Sequence, residues 1–227
     1  MATRRDALSL GGALVAAAVI PVAVAAAGGT RTFALLRGSK QIGSKTLTVS
    51  RAGSATEVAI DIAIKVRILG IPAYDYRLSS RETWVDGRLQ SLSAETSDNG
   101  EAAFARASRN GGTLAVEGSG YTGTVEGNPA TTTYWSQAFL SRNVWISTQS
   151  GQPLSVSVSN RGAATFPVGG ADVAATRWSV SGDIGALDLF YDESGEWIGS
   201  TFEARGQQAR FAVADLGPAL APLWSGG

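Results

Sequence analysis

"EVAIDIAIKVRI", Glu57–Ile68, is the stretch on which the fold turns. Val58, Ile60, Ile62, Ile64, Val66 and Ile68 alternate without a break with Glu57, Ala59, Asp61, Ala63, Lys65 and Arg67. Strict period two puts the first set on one face and the second on the other, the pattern of a half-buried antiparallel strand. The run is about twice the usual strand length, so it must bend or belong to a curved sheet.

Outward from it, turn signals recur at strand-length spacing: Gly38-Ser39, Gly53-Ser54, Asp86-Gly87, Asn99-Gly100, Asn110-Gly111, Asn160-Arg161-Gly162 and Glu193-Ser194-Gly195. Asn-Gly and Asp-Gly supply the positive φ angles that tight hairpins need. Runs joined in this way make an up-and-down meander of roughly a dozen strands, and that many twisted strands must curl. The expected fold is all-β with one short helix, a strongly curved antiparallel meander sheet or open β-barrel. The helix is expected in "NPATTTYWSQAFLSRNVW", from Tyr134 to about Ser141, with Thr133 as its cap and the segment plugging the concave face or one open end. The apolar end, "LGPALAPLWSGG", reads as a strap or a loose tail over 218–227.

The N-terminus carries an address. Arg4 and Arg5 precede an uncharged apolar run, Leu8–Ile20, that ends in the small residues of Ala23-Val24-Ala25 and Ala25-Ala26-Ala27. This is the layout of a cleaved export signal, 1–27. Thr3-Arg4-Arg5-Asp6-Ala7-Leu8 fits the twin-arginine (Tat) route, although Ala7 stands where a bulkier residue is common. A Sec signal that happens to hold two arginines is the plainer alternative. The expectation is a periplasmic protein, exported by the Tat machinery through Arg4 and Arg5 and cleaved near Ala25–Ala27, with one β domain over 28–227.

The absences narrow the chemistry. There is no His and no Cys, and 19 basic residues balance 19 acidic ones. That removes Ser-His-Asp and Cys-His catalysis, His-ligated zinc and iron–sulfur clusters. No phosphate-cradling glycine motif is present, so no cofactor and no metal is expected. Without the leader the balance is −1, which gives no case for nucleic acid.

Two stretches carry the candidate side chains. In "YDYRLSSRETWVDGRL", alternation puts Tyr74, Tyr76, Leu78, Ser80, Glu82 and Trp84 on one aromatic, inward face. An inward carboxylate must be paired or hydrogen-bonded, or else its pKa rises. Glu82 is therefore a functional acid or ligand-binding group, half of a structural ion pair, for instance with Arg177, or an edge residue open to water. In "ALDLFYDESGEWIGSTFEARG", Asp188, Asp192, Glu193 and Glu196 gather near a turn. Asp188 and Asp192 are weak catalytic candidates beside Glu82, but a solvated acidic hairpin explains them as well, and the spacing of a calcium loop is absent.

At these residues the chain resembles a family of exported bacterial β proteins of unknown function. The resemblance rests on "GSKQIGSKTLTV", "RETWVDGRLQSLSAETSDNG", "TYWSQAFL", "STQSGQPLSVSV", and "AATRWSVSG" followed by "LFYDESGEW". These contain E-x-W-x-D-G and Y-D-x-x-G-x-W features and cover nearly all of the chain after the leader. In one departure, Trp135 is followed by Ser136 where the family prefers Asn. The resemblance implies an envelope protein of a Gram-negative bacterium and no catalytic residue. A looser likeness of architecture links such chains to LolA/LolB-type lipoprotein carriers, which is a fold analogy only. The reading that follows is a non-enzymatic carrier of an apolar or amphipathic, lipid-like small molecule. Tyr74, Tyr76, Glu82, Trp84, Trp135 and Phe139 are its expected ligand-binding residues. The alternatives are an envelope interaction module with a protein partner, and a carboxylate-dependent hydrolase.

Overall fold

The structure is a computed structural model that describes residues 27–204, 206–218 and 220–223; the expected leader, except its last residue, lies outside them. Fifteen strands follow one another: β1 (Ala27–Arg37), β2 (Lys40–Ala52), β3 (Ala55–Ile68), β4 (Ile71–Val85), β5 (Arg88–Asp98), β6 (Glu101–Asn110), β7 (Thr113–Gly118), β8 (Thr122–Glu126), β9 (Ala130–Thr131), β10 (Val144–Ile146), β11 (Pro153–Val168), β12 (Ala171–Gly182), β13 (Leu187–Asp192), β14 (Trp197–Ala204) and β15 (Gln207–Val213). They form one sheet in the order β8-β7-β6-β5-β4-β3-β2-β1-β15-β14-β13-β12-β11-β10-β9. Every pairing is antiparallel except β9 with β10. The expected meander is there, with more strands than the turn signals alone indicate.

The topology has a seam. β1 and β15, the first and last strands, pair in the middle of the sheet, with Phe33 opposite Val213. The two free edges, β8 and β9, are therefore consecutive in sequence, and no strand ladder joins them. The loop after β10 bridges part of the gap, where Gly120 N–H donates to the Ser150 carbonyl at 2.8 Å.

Strand alternation sets what faces inward. Val58 and Ile60 on β3 are almost fully buried, while Glu57 and Asp61 are exposed. On β4, Leu78, Ser80, Glu82 and Trp84 are buried and Arg77, Ser79 and Arg81 are not. In register, Glu82 stands opposite Val58 on β3 and Leu92 on β5.

A sheet this wide leaves a centre that its own side chains do not reach across. The segment between β9 and β10 enters it, burying Trp135, Phe139 and Leu140, with Trp145 buried on β10 itself. Its helix differs from the expected one. It is a 3₁₀ helix, Gln137–Ser141, capped by Ser136, whose hydroxyl accepts from Ala138 N–H. Thr133 is not the cap; its hydroxyl lies 2.6 Å from that of Thr131. The cause is Tyr134, which sits at φ 62° and breaks the helical path before it can start. Asn160-Arg161-Gly162 is also not a turn. It is a bulge inside β11, with Gly162 at φ 84° and its N–H bonded to the Asn160 side chain.

The strap at the C-terminal end is anchored from within. Arg31 on β1 pairs with Glu196, and both are buried. Arg31 also donates to Pro218 O at 2.6 Å, and Leu220 N–H donates to Glu196 Oε2 at 2.9 Å. Glu196 is thus no part of a solvated acidic hairpin; it faces inward and holds the strap.

A Cβ added at Gly118 would stand 2.3 Å from the Ser150 carbonyl oxygen, beside the seam. Gly118→Ala is therefore expected to cost about 1–3 kcal/mol, read as a lower urea midpoint. Gly112→Ala, where nothing lies within 4 Å, should change it little.

Candidate functional site

Three inward charges on one stretch of the sheet organise the interior: Arg31 on β1, Lys45 on β2 and, beyond β3, Glu82 on β4. Each occupies a position that alternation assigns to the core. Arg31 precedes Phe33 and Leu35 on the same face of β1, and Lys45 precedes Leu47 and Val49 on that of β2. Arg31 is satisfied by Glu196, as above. Lys45 and Glu82 meet the plug segment instead.

Lys45 is 2% exposed. Its Nζ donates to the Thr133 carbonyl at 2.9 Å. The ammonium also lies 4.2 Å from the ring centre of Trp197, 5.3 Å from Tyr134 and 5.9 Å from Phe211. Three π faces partly replace the water it has lost. Burial drives its pKa down from 10.5 to about 7, with the negative charge of Glu82 opposing the fall.

Glu82 accepts at Oε2 from Trp84 Nε1 at 2.8 Å and from Trp135 Nε1 at 3.2 Å. Oε1 has no hydrogen bond of good geometry, although the Thr131 and Thr133 hydroxyls lie close enough to favour the carboxylate. Burial raises the pKa of Glu82, and these donors pull the other way. The two indoles also pack: Trp84 meets Trp135 edge-on at 5.9 Å and Phe139 at 4.8 Å. Arg142 closes this cluster from outside, donating to the Gly87 and Pro129 carbonyls with its guanidinium over Trp84 and Phe139.

This polar layer separates two spaces. At the end with the β1–β2, β3–β4 and β14–β15 turns lies a cavity of about 500 Å³, mostly apolar, lined by Leu35, Ile62, Ile64, Val66, Phe202 and Phe211 among others. Arg37, Tyr74, Tyr76 and Gln207 supply its polar atoms. At the opposite, stoppered end is a smaller cleft of about 270 Å³ that includes Trp84, Trp135 and Phe139. The six expected ligand residues are therefore not one site. Tyr74 and Tyr76 line the large cavity, the three others line the small cleft, and Glu82 lines neither.

The acidic candidates are apart as well. Asp188 lies on the outer face of β13, bonded to Arg177 at 2.6 Å and Ser179 at 2.6 Å. Arg177 thus serves Asp188, not Glu82. Asp192 Oδ1 accepts from Ser194 N–H, Ser194 Oγ and Glu196 N–H and so builds its turn. Glu82 points inward and Asp188 outward, so the sheet itself separates them. Among the described residues, no group of three or more acidic side chains converges as a metal site. Sequence reading passed over Lys45, Arg31 and the burial of Glu196; the signal was a charge in phase with core positions.

A family model described as "Domain of unknown function (DUF6134)" matches residues 33–214. Among solved structures, the chain is similar to a β-barrel-like protein of the DUF1849 domain of unknown function from Brucella abortus. The TM-score is 0.58 at 10% identity, over 82% of this chain and 95% of that one. The likeness is one of fold. No curated protein matches the sequence.

Lys45 makes stability depend on pH. Between about 7 and 10.5 the unfolded chain holds a proton on this amine that the folded chain does not, so stability rises with pH across that window. Glu82 acts in the opposite sense: its contribution falls as pH rises from its ordinary value through its raised folded one. The urea midpoint is expected to climb from pH 7 to about 9.5 and to stay flat in Lys45→Met. An equal climb in that variant would remove Lys45 as the source.

Proposed function

The chain belongs to the DUF6134 family, and from its interior we propose that it is a non-enzymatic carrier of an apolar or amphipathic small molecule, exported to the periplasm. The observation that carries this reading is the large cavity. It is apolar, its volume of about 500 Å³ falls within the range of small-molecule sites, and it lies at the end that the plug leaves unfilled.

The two ends of the curved sheet support the assignment. The stoppered end spends its aromatic residues on packing and its carboxylate on two indoles. The cavity end keeps Tyr74 and Tyr76 stacked along its wall, ring centres 6.4 Å apart. A ligand's apolar body fits against Ile62, Ile64 and Phe211. Its polar end would meet Arg37 and Gln207, in place of Glu82, which lies below the floor. Export through Arg4 and Arg5 is the sequence's contribution to this proposal: a slow-folding meander with many non-local pairings gains from crossing the membrane folded.

The test is native mass spectrometry of the protein isolated gently, without detergent, from the periplasmic fraction. A stoichiometric extra mass released by organic solvent is expected. Ile64→Trp, which fills the cavity from its wall, should lower occupancy at least about tenfold and leave the urea midpoint near that of the parent. A clean apo mass would turn the reading toward an envelope interaction module, and absence from the periplasm would remove the exported carrier altogether.

A further inference from the structure

Two large apolar side chains stand out in water among the described residues: Leu69, 96% exposed, and Ile71, 69% exposed. Both belong to the β3–β4 hairpin tip. That hairpin outruns its neighbours. β2 pairs with β3 only as far as Ile64, and β5 pairs with β4 only from Tyr76. Residues 65–75 are therefore a two-stranded ribbon that overhangs the sheet. Val66, Ala73 and Tyr74 of this ribbon form part of the cavity wall, so the tip stands beside the cavity's mouth.

The turn is an expensive place for a leucine. Leu69 and Gly70 have φ of 50° and 82°, the pair of positive angles that two-residue hairpins use. Asp86-Gly87 and Asn99-Gly100 show the same pairing, 48° and 67°, 51° and 87°, with residues that tolerate it. A leucine there is disfavoured by roughly 1–2 kcal/mol, and at 96% exposure it recovers nothing by packing. The fold's own stability does not account for Leu69. A surface outside the molecule does.

The surrounding charge says which surface. The ribbon carries Lys65 and Arg67 against one acid, Asp75, with Arg77 just below it on β4 and Asp98 just below it on β5. Asp75 lies 4.0 Å from Lys65 and 3.3 Å from Arg77. Lys40, in the adjoining β1–β2 hairpin, is exposed at the same end. An apolar tip within a basic collar suits an anionic bilayer: the apolar groups enter the headgroup–acyl boundary and the bases meet lipid phosphates. A protein groove could take the leucine and isoleucine but gives no reason for the collar.

We propose that the β3–β4 tip docks this chain on an anionic lipid surface through Leu69 and Ile71, turning the cavity's mouth toward the membrane. The docking deepens the carrier reading yet needs no cargo, so the two can fail separately.

The chain has no cysteine, so Ile71→Cys, or Ser54→Cys in the exposed turn at the opposite end, takes a single environment-sensitive fluorophore. This local reporter reads the tip whatever the apolar run Leu8–Ile20 does. Vesicles of phosphatidylethanolamine and phosphatidylglycerol are expected to shift the emission at 71 to the blue and leave that at 54 unchanged, less so as salt rises. Leu69→Asn suits the turn and should keep the fold; it is expected to raise the lipid concentration for half-shift about tenfold. No shift at 71, or an unaltered half-shift in Leu69→Asn, overturns the proposal. So does a blue shift that grows with protein concentration without lipid, which would assign the tip to a second copy of the chain.

Discussion

Thr133 presents its carbonyl oxygen to the middle of a fifteen-stranded sheet, and Lys45 Nζ reaches it at 2.9 Å. The rest of the interior depends on this kind of contact. A sheet of this width can bury its concave face only if another part of the chain enters it, and an entering segment brings backbone N–H and C=O groups that water no longer serves. The plug is not helical enough to satisfy them itself. Side chains from the wall do so instead: Lys45 takes the Thr133 carbonyl, and Tyr191 donates to the Tyr134 carbonyl at 2.8 Å. Removing one such wall partner leaves a buried group unpaired, which costs more than the hydrogen bond itself stabilises.

The same logic explains why two buried carboxylates have different neighbours. Glu196 meets Arg31 and the Leu220 N–H, while Arg31 also takes the Pro218 carbonyl, a paired arrangement that ties the strap to β1. Glu82 meets two indole N–H groups and, among the described residues, no cation within ion-pair distance. Its charge is only partly compensated, so its proton is held more firmly. The plug and strap together fill one end of the molecule. The other end retains a cavity and the overhanging ribbon, so binding chemistry and packing chemistry occupy opposite ends of one sheet.

Much of the architecture was legible because strands write it in period two. Glu57–Ile68, Tyr74–Trp84 and the Asp86-Gly87 and Asn99-Gly100 turns each appear where alternation and turn chemistry put them. Where a local signal had two structural solutions it misled. Asn160-Arg161-Gly162 has turn composition, yet the partner strand runs past it and makes it a bulge. Thr133 has capping chemistry, yet Tyr134 at positive φ moves the cap to Ser136.

The candidate site was legible by face and not by depth. Alternation determined that Tyr74, Tyr76, Glu82 and Trp84 share the inner face of β4 and that Lys45 lies in phase with Leu47 and Val49, and composition determined that the chain has no histidine or cysteine for catalysis. It could not say how far along the sheet each side chain lies, because period two repeats identically from one end of a strand to the other. The tertiary structure decided that: which end the plug entered, that Glu82 meets indoles and Glu196 an arginine, and that the tyrosines alone of the expected set reach the large cavity. Those outcomes depend on where a segment some 50 residues away comes to rest, and only burial of the whole concave face selects its resting place.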